Sequence, residues 1–172
     1  DYPNNAHFST AIGMTHKAGI NFWENGGMAT EGMKLMAETG NINGLEPEIQ
    51  EIVDGGDALD LIVGERLSDG TTTEVFTIVV DEDYPLVSLV SMIAPSPDWF
   101  VGVNGLSLKD INGDWVNDLT VDLENFDAGT DNGAAFKSSN EETDPQGVIT
   151  LFTDSPLDYE DATLARFKFT KK

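Results

Sequence analysis

Residues 84–104 read Y-P-L-V-S-L-V-S-M-I-A-P-S-P-D-W-F-V-G-V-N, and the fold depends on how this stretch is divided. Leu86 to Ile93 is apolar on both faces, the pattern of a central strand covered from two sides. Pro95 and Pro97 fix their own φ and press Ala94 and Ser96 toward extended backbone, so the run ends in a stiff loop carrying Asp98. Phe100 to Leu108 returns. Val101 and Val103 hold one phase, but the next apolar residues are Leu106 and Leu108, so the alternation slips by one residue around Asn104-Gly105. A β-bulge does this inside one strand. The chain then turns at Asn112-Gly113, and Trp115 to Leu123 climbs back to deliver Asp127 beside Asp98. A hairpin turn at Asn104-Gly105 would instead leave the two aspartates at opposite ends.

Period-two alternation continues outward from this stretch and argues for strands throughout. Phe8, Thr10, Ile12 and Met14 alternate with Ser9, Ala11 and Gly13. Trp115, Leu119, Val121 and Leu123 share one face, with Asp118, Thr120, Asp122 and Glu124 on the other. Ala165, Phe167 and Phe169 oppose Arg166, Lys168 and Thr170. These three are expected to be half-buried strands with a solvated face. Val75 to Val80, apolar on both faces, is expected to be a second central strand. Asp69-Gly70 and Asn112-Gly113 mark turns between apolar runs. Two segments have helical character: Glu31 to Glu38, stopped by Gly40, and Glu46 to Val53, stopped by Gly55-Gly56. The sum is a mainly all-β chain, an antiparallel β-sandwich with one or two short helices, forming a single domain over residues 1–172.

Composition narrows the function. Thirty-one Asp and Glu against nine Lys and Arg leave a net charge of −22, a field that repels phosphate backbones and excludes nucleic acid as a partner. The surplus suits solubility in salty surroundings, with a few clustered carboxylates left over for divalent cations. No run approaches the ~18 apolar residues of a membrane helix. Cysteine is absent, so neither disulfides nor thiol chemistry contribute. A chain starting at Asp1 without a charged-then-apolar leader is expected to be a mature or trimmed product.

Asp98 follows the Pro-Ser-Pro loop, while Asp127 and Asp131 bracket Ala-Gly-Thr, a small-residue turn able to fold both carboxylates toward one point. Calcium takes six to eight oxygen ligands from carboxylates, carbonyls and water. Three carboxylates on two constrained loops are a reasonable core for that set. On spacing alone, ordinary turn aspartates are the plainer description.

Residues 84–104 together with F-D-A-G-T-D-N-G at 126–133 resemble the spondin domain, the N-terminal module of F-spondin and mindin. H-F-S-T-A-I-G-M-T-H at 7–16 and A-T-E-G-M-K-L-M-A-E-T-G at 29–40 match as well, in order, with the likeness thinning after residue 133. The resemblance implies a C2-like β-sandwich, a secreted or cell-surface setting, and a calcium ion held by Asp98, Asp127 and Asp131. It also implies adhesion or recognition rather than catalysis. Animal members carry cysteines that are absent here, and with the acidity this points to a bacterial-type relative.

Other candidates are weaker. Asp110-Ile-Asn112-Gly-Asp114 opens like an EF-hand loop, but Val121 stands where the bidentate Glu belongs; a hairpin turn explains it better. Asp54, Asp57 and Asp60 lie in a Gly-rich stretch that suits a solvated loop, with a second cation as the alternative. His7 and His16 lack zinc spacing and are expected to make structural hydrogen bonds. Met28, Met33, Leu35 and Met36 are expected to form a buried face. No Gly-x-Ser-x-Gly elbow, phosphate-binding loop or thiol appears. With so many acids, some pair always sits at glycosidase spacing, so that signal is nearly worthless. The expected function is an extracellular, non-catalytic, calcium-binding module for a cell-surface protein or glycan. The alternatives are a structural segment of a larger surface protein, stiffened by calcium, and a carbohydrate-active enzyme.

Overall fold

In the computed structural model, which describes residues 3–65, 73–152 and 164–172, the strand Leu86–Ala94 forms the middle of the molecule. The elements in chain order are β1 (His7–Phe8), β2 (Ile12–His16), α1 (Glu31–Thr39), α2 (Leu45–Asp54), β3 (Ala58–Val63), β4 (Leu86–Ala94), β5 (Trp99–Ser107), β6 (Asp118–Asp122), β7 (Glu124–Asp127), β8 (Thr150–Leu151) and β9 (Arg166–Thr170). The larger sheet runs β3-β2-β4-β5-β7-β8, with β1 also on β4, and every pairing is antiparallel. A two-stranded sheet of β6 and β9 packs over one face. This is the expected antiparallel β-sandwich with two short helices.

β4 is apolar on both sides because both sides are covered. Val87, Leu89 and Ile93 meet side chains of the small sheet and its neighbours, including Leu119, Phe167 and Phe169. Val90, Met92 and Ala94 point the other way, into a core with Met33, Met36, Leu45 and Ile49 of the helices. The phase slip in β5 is a bulge: Val87 pairs with Leu106 and Leu89 with Val103, so Ser88 faces the extra residue at Asn104-Gly105. Gly105 takes φ +63, a left-handed conformation that costs glycine little. Its N–H donates to Ser88 Oγ at 2.8 Å. The extra residue returns Leu106 and Leu108 to the face of Val103, where all three join one cluster.

Both helices form where expected. Thr30 caps α1 by accepting the Met33 N–H at 3.1 Å, and Gly40 ends it in the left-handed region. Glu48 of α2 accepts the Gly32 N–H at 2.8 Å, tying the two helices together. Met33 and Met36 are buried and Leu35 half-buried, but Met28 precedes the helix and is exposed. No helix among the described residues is long and apolar enough to cross a membrane.

Three expectations need correction. Ile12–His16 is buried along its whole length rather than half-solvated, because β3 and β4 flank it and the helices cover one side. Thr73 to Val80 forms no strand; Phe76, Ile78 and Val80 face the core, while Val75 and Val79 are exposed. Trp115 to Leu123 does not climb back along β5. A single bridge joins Trp115 to Lys109, then β6 leaves to pair with β9, and β7 makes the return. The turn expected at Asp69-Gly70 lies outside the described residues.

Candidate functional site

Asp98 sits between the end of β4 and the start of β5, in the loop opened by Pro95 and Pro97. Ser96 Oγ accepts the Trp99 N–H at 3.1 Å and tightens that loop. The register of β5 against β7 sets Trp99 opposite Asp127, and the Ala128 N–H donates to the Asp98 carbonyl at 3.2 Å. The bulge thus leaves Asp98 and Asp127 at the same end of the sheet.

The Asp98 carboxylate is fully buried. Its Oδ2 accepts three bonds: Thr130 N at 2.7 Å, Asp131 N at 3.0 Å and Thr130 Oγ1 at 3.2 Å. Its Oδ1 is buried with no hydrogen-bond partner among the described residues. Burial, followed by repulsion from Asp127, raises its pKa to about 6 in spite of the three donors. Asp127 Oδ1 accepts the Gly129 N–H at 2.7 Å. Burial also pushes the Asp127 pKa up, and the charge of Asp131 adds to the rise. The Trp99 indole N–H is close enough to pull that pKa down slightly, but it makes no well-formed hydrogen bond.

Asp131 is buried and turned into its own loop, Oδ1 accepting from Gly133 N at 2.7 Å and Oδ2 from Glu141 N at 3.2 Å. The structure therefore couples Asp98 to Asp127 and Asp127 to Asp131 through their charges. Asp131 reaches Asp98 by its backbone N–H. Among the described residues, no three His, Cys, Asp or Glu side chains converge as a ready-made metal cage. The oxygens do suit a hard cation: all are carboxylate, one is orphaned, and no ion pair among the described residues involves them.

Thr130, which gives Asp98 two of its three bonds, was missed by sequence reasoning although it lies inside the D-A-G-T-D string. Glu141, which donates to Asp131 from ten residues downstream, left no signal in the sequence.

The remaining candidates take structural roles. Asp110 accepts the N–H groups of Asn112 at 2.8 Å and Asp114 at 3.0 Å, closing the expected turn, and those bonds hold its pKa low. Asp54 accepts from Gln50 at 2.8 Å, Asp57 pairs with Lys17 at 3.3 Å, and Asp60 belongs to β3 rather than to a loop. His7 Nδ1 bonds the Asn5 carbonyl at 2.9 Å. His16 is buried, with Nδ1 on the Lys17 carbonyl and Nε2 on Ser88 Oγ, both 2.8 Å, and burial lowers its pKa. Ser88 is fully buried too, so this Ser–His contact lies in the interior.

The β-sandwich thus sets its Pro-Ser-Pro-Asp loop against the Asp-Ala-Gly-Thr-Asp turn at one end of the larger sheet. Residues 1–164 match the model of the Spondin_N family. Spondin-2 of Homo sapiens is 36% identical over 155 residues, covering 87% of this chain and 45% of that protein. Spondin-1 of Rattus norvegicus is 35% identical over 160 residues, covering 89% of this chain and 20% of that protein. Spondin-1 of Gallus gallus is 34% identical over the same length. The chain belongs to the Spondin_N family. The match extends past residue 133, where the motif likeness thinned. The chain spans less than half the length of these relatives.

Proposed function

We propose that this chain is a non-catalytic, extracellular recognition module whose loop end is organised by a calcium ion held by Asp98, Asp127 and Asp131. The observation that carries this is the orphaned Asp98 Oδ1. A fully buried carboxylate oxygen without a donor, beside a second carboxylate, is a costly arrangement that a divalent cation relieves. The ion would supply positive charge to the Asp98–Asp127 pair and draw the Asp131 carboxylate out of its turn to join them. Family membership supports the extracellular setting. A cell-surface protein or a glycan is the partner class that the module would present this end to.

Calorimetric titration of the chelator-treated protein with calcium tests the ion. Saturable uptake of one calcium per chain is expected, and absence of uptake at millimolar calcium would overturn the assignment. A glycan array and a cell-binding assay, each run with calcium and with chelator, then test recognition. Binding to neither would leave a structural segment as the better description.

A further inference from the structure

The segment 141–149 is stitched along one side to the Asp131 loop. Asn132 N donates to Glu141 O at 2.7 Å, Thr143 N to Thr130 O at 2.9 Å and Gly147 N to Gly129 O at 2.8 Å. Asp131 and Glu142 face each other in an antiparallel bridge. Along its other side the segment meets the chain leading into α1. Ile149 exchanges two backbone bonds with Gly26 and Gly27, both 2.8 Å, and Gln146 Nε2 donates to Ala29 O at 2.9 Å. At the end nearest Asp131 the link is a pair of side chains: Lys34 Nζ of α1 lies 2.7 Å from Glu142 Oε1.

We propose that the Lys34–Glu142 pair is a positioning device for the cation site. It pins the Glu142 end of the segment to α1, and so keeps the Thr130 and Asp131 N–H groups on Asp98 Oδ2. α1 is a rigid support for this, since Met33 and Met36 on either side of Lys34 are wholly buried in the core. Lys34 itself is mostly covered while Glu142 is exposed, so the effect belongs to the range of rim ion pairs, about two- to fivefold. The purpose of the device rests on the calcium assignment above; its mechanics do not.

Charge reversal separates positioning from the field of the two charges. By field alone, Lys34→Glu makes the site more negative and tightens calcium, whereas Glu142→Lys weakens it. Positioning has both single variants weaken calcium by about two- to fivefold, and the double reversal restores it. In calcium-free protein, amide hydrogen exchange at Thr130 and Asp131 is expected to speed up by a similar factor in each single variant. It should return to the wild-type rate in the double variant, with exchange at Val90 of β4 unchanged throughout. Wild-type exchange rates in the single variants, or opposite-signed calcium shifts, would overturn the proposal. Were wild type to take up no calcium, the functional assignment would fall and the exchange rates would still decide the tether.

Discussion

At Asp98 one carboxylate lives in two environments: three donors satisfy Oδ2, while Oδ1 has none among the described residues. The consequence for stability has a definite sign. The folded pKa, about 6, lies above the ordinary value of 3.8. Between those values the folded state holds the extra proton, so stability of the calcium-free protein falls as pH rises from 4 to 6 and stays reduced above that. The full penalty is on the order of 3 kcal/mol. Asp98→Asn keeps an acceptor for Thr130 and Asp131 and removes the charge, so the pH slope of urea unfolding across this range should shrink, leaving the part that the raised Asp127 contributes. A slope unchanged by the substitution would show that Asp98 is not its source. Asp127→Asn should weaken calcium binding markedly in calorimetry, yet be neutral or stabilising without calcium because repulsion falls. Asp118→Asn, on the exposed face of β6 where Thr170 Oγ1 donates to it at 3.0 Å, should do neither.

Among the elements, two glycines with similar backbone carry different loads. Gly105 sits in the β5 bulge at φ +63, and a Cβ there would approach nothing closer than Leu86 Cδ1 at 4.0 Å. Gly105→Ala therefore meets backbone strain alone, about 1–2 kcal/mol. Gly129 takes φ +72, and its Cβ would come within 2.7 Å of the Gly147 and Val148 backbone. Gly129→Ala must also push the 141–149 segment off the turn between Asp127 and Asp131, so it should cost more and, on the proposed calcium assignment, weaken calcium as well. Thermal melts and calcium titrations of both variants check this ordering. Equal losses of stability with equal calcium affinity would contradict it.

Over the whole molecule, the net charge of −22 sets the response to salt. Self-repulsion destabilises the compact state, and raising sodium chloride from about 0.05 to 1 M shortens the screening length several-fold. The melting temperature without calcium should therefore climb with salt. Calcium should raise it further: at 100 times Kd the gain is about 2.7 kcal/mol, several degrees for a chain this long. Sodium chloride at matched ionic strength should not reproduce the calcium increment. If it does, calcium acts as a screening ion and not as a ligand.

Much of this molecule was already determined by local sequence, because local rules act over a few residues. The apolar run of residues 86–93 required a strand covered on both faces, Gly40 stopped α1, and the broken parity at Asn104-Gly105 required a bulge or a turn. Partnership was decided by tertiary structure. Period two records which side chains share a face but says nothing about which strand lies alongside, so β6 could pair with β9 instead of β5. The apolar run Val75 to Val80 likewise names two greasy faces, and only the packed molecule leaves one of them exposed. The same holds at the loop end. The order of Asp98, Asp127 and Asp131 along the chain is a property of the sequence. That Asp98 is buried with one oxygen unpartnered, and that Asp131 turns toward Glu141, depends on backbone donors brought from distant segments, which no spacing encodes.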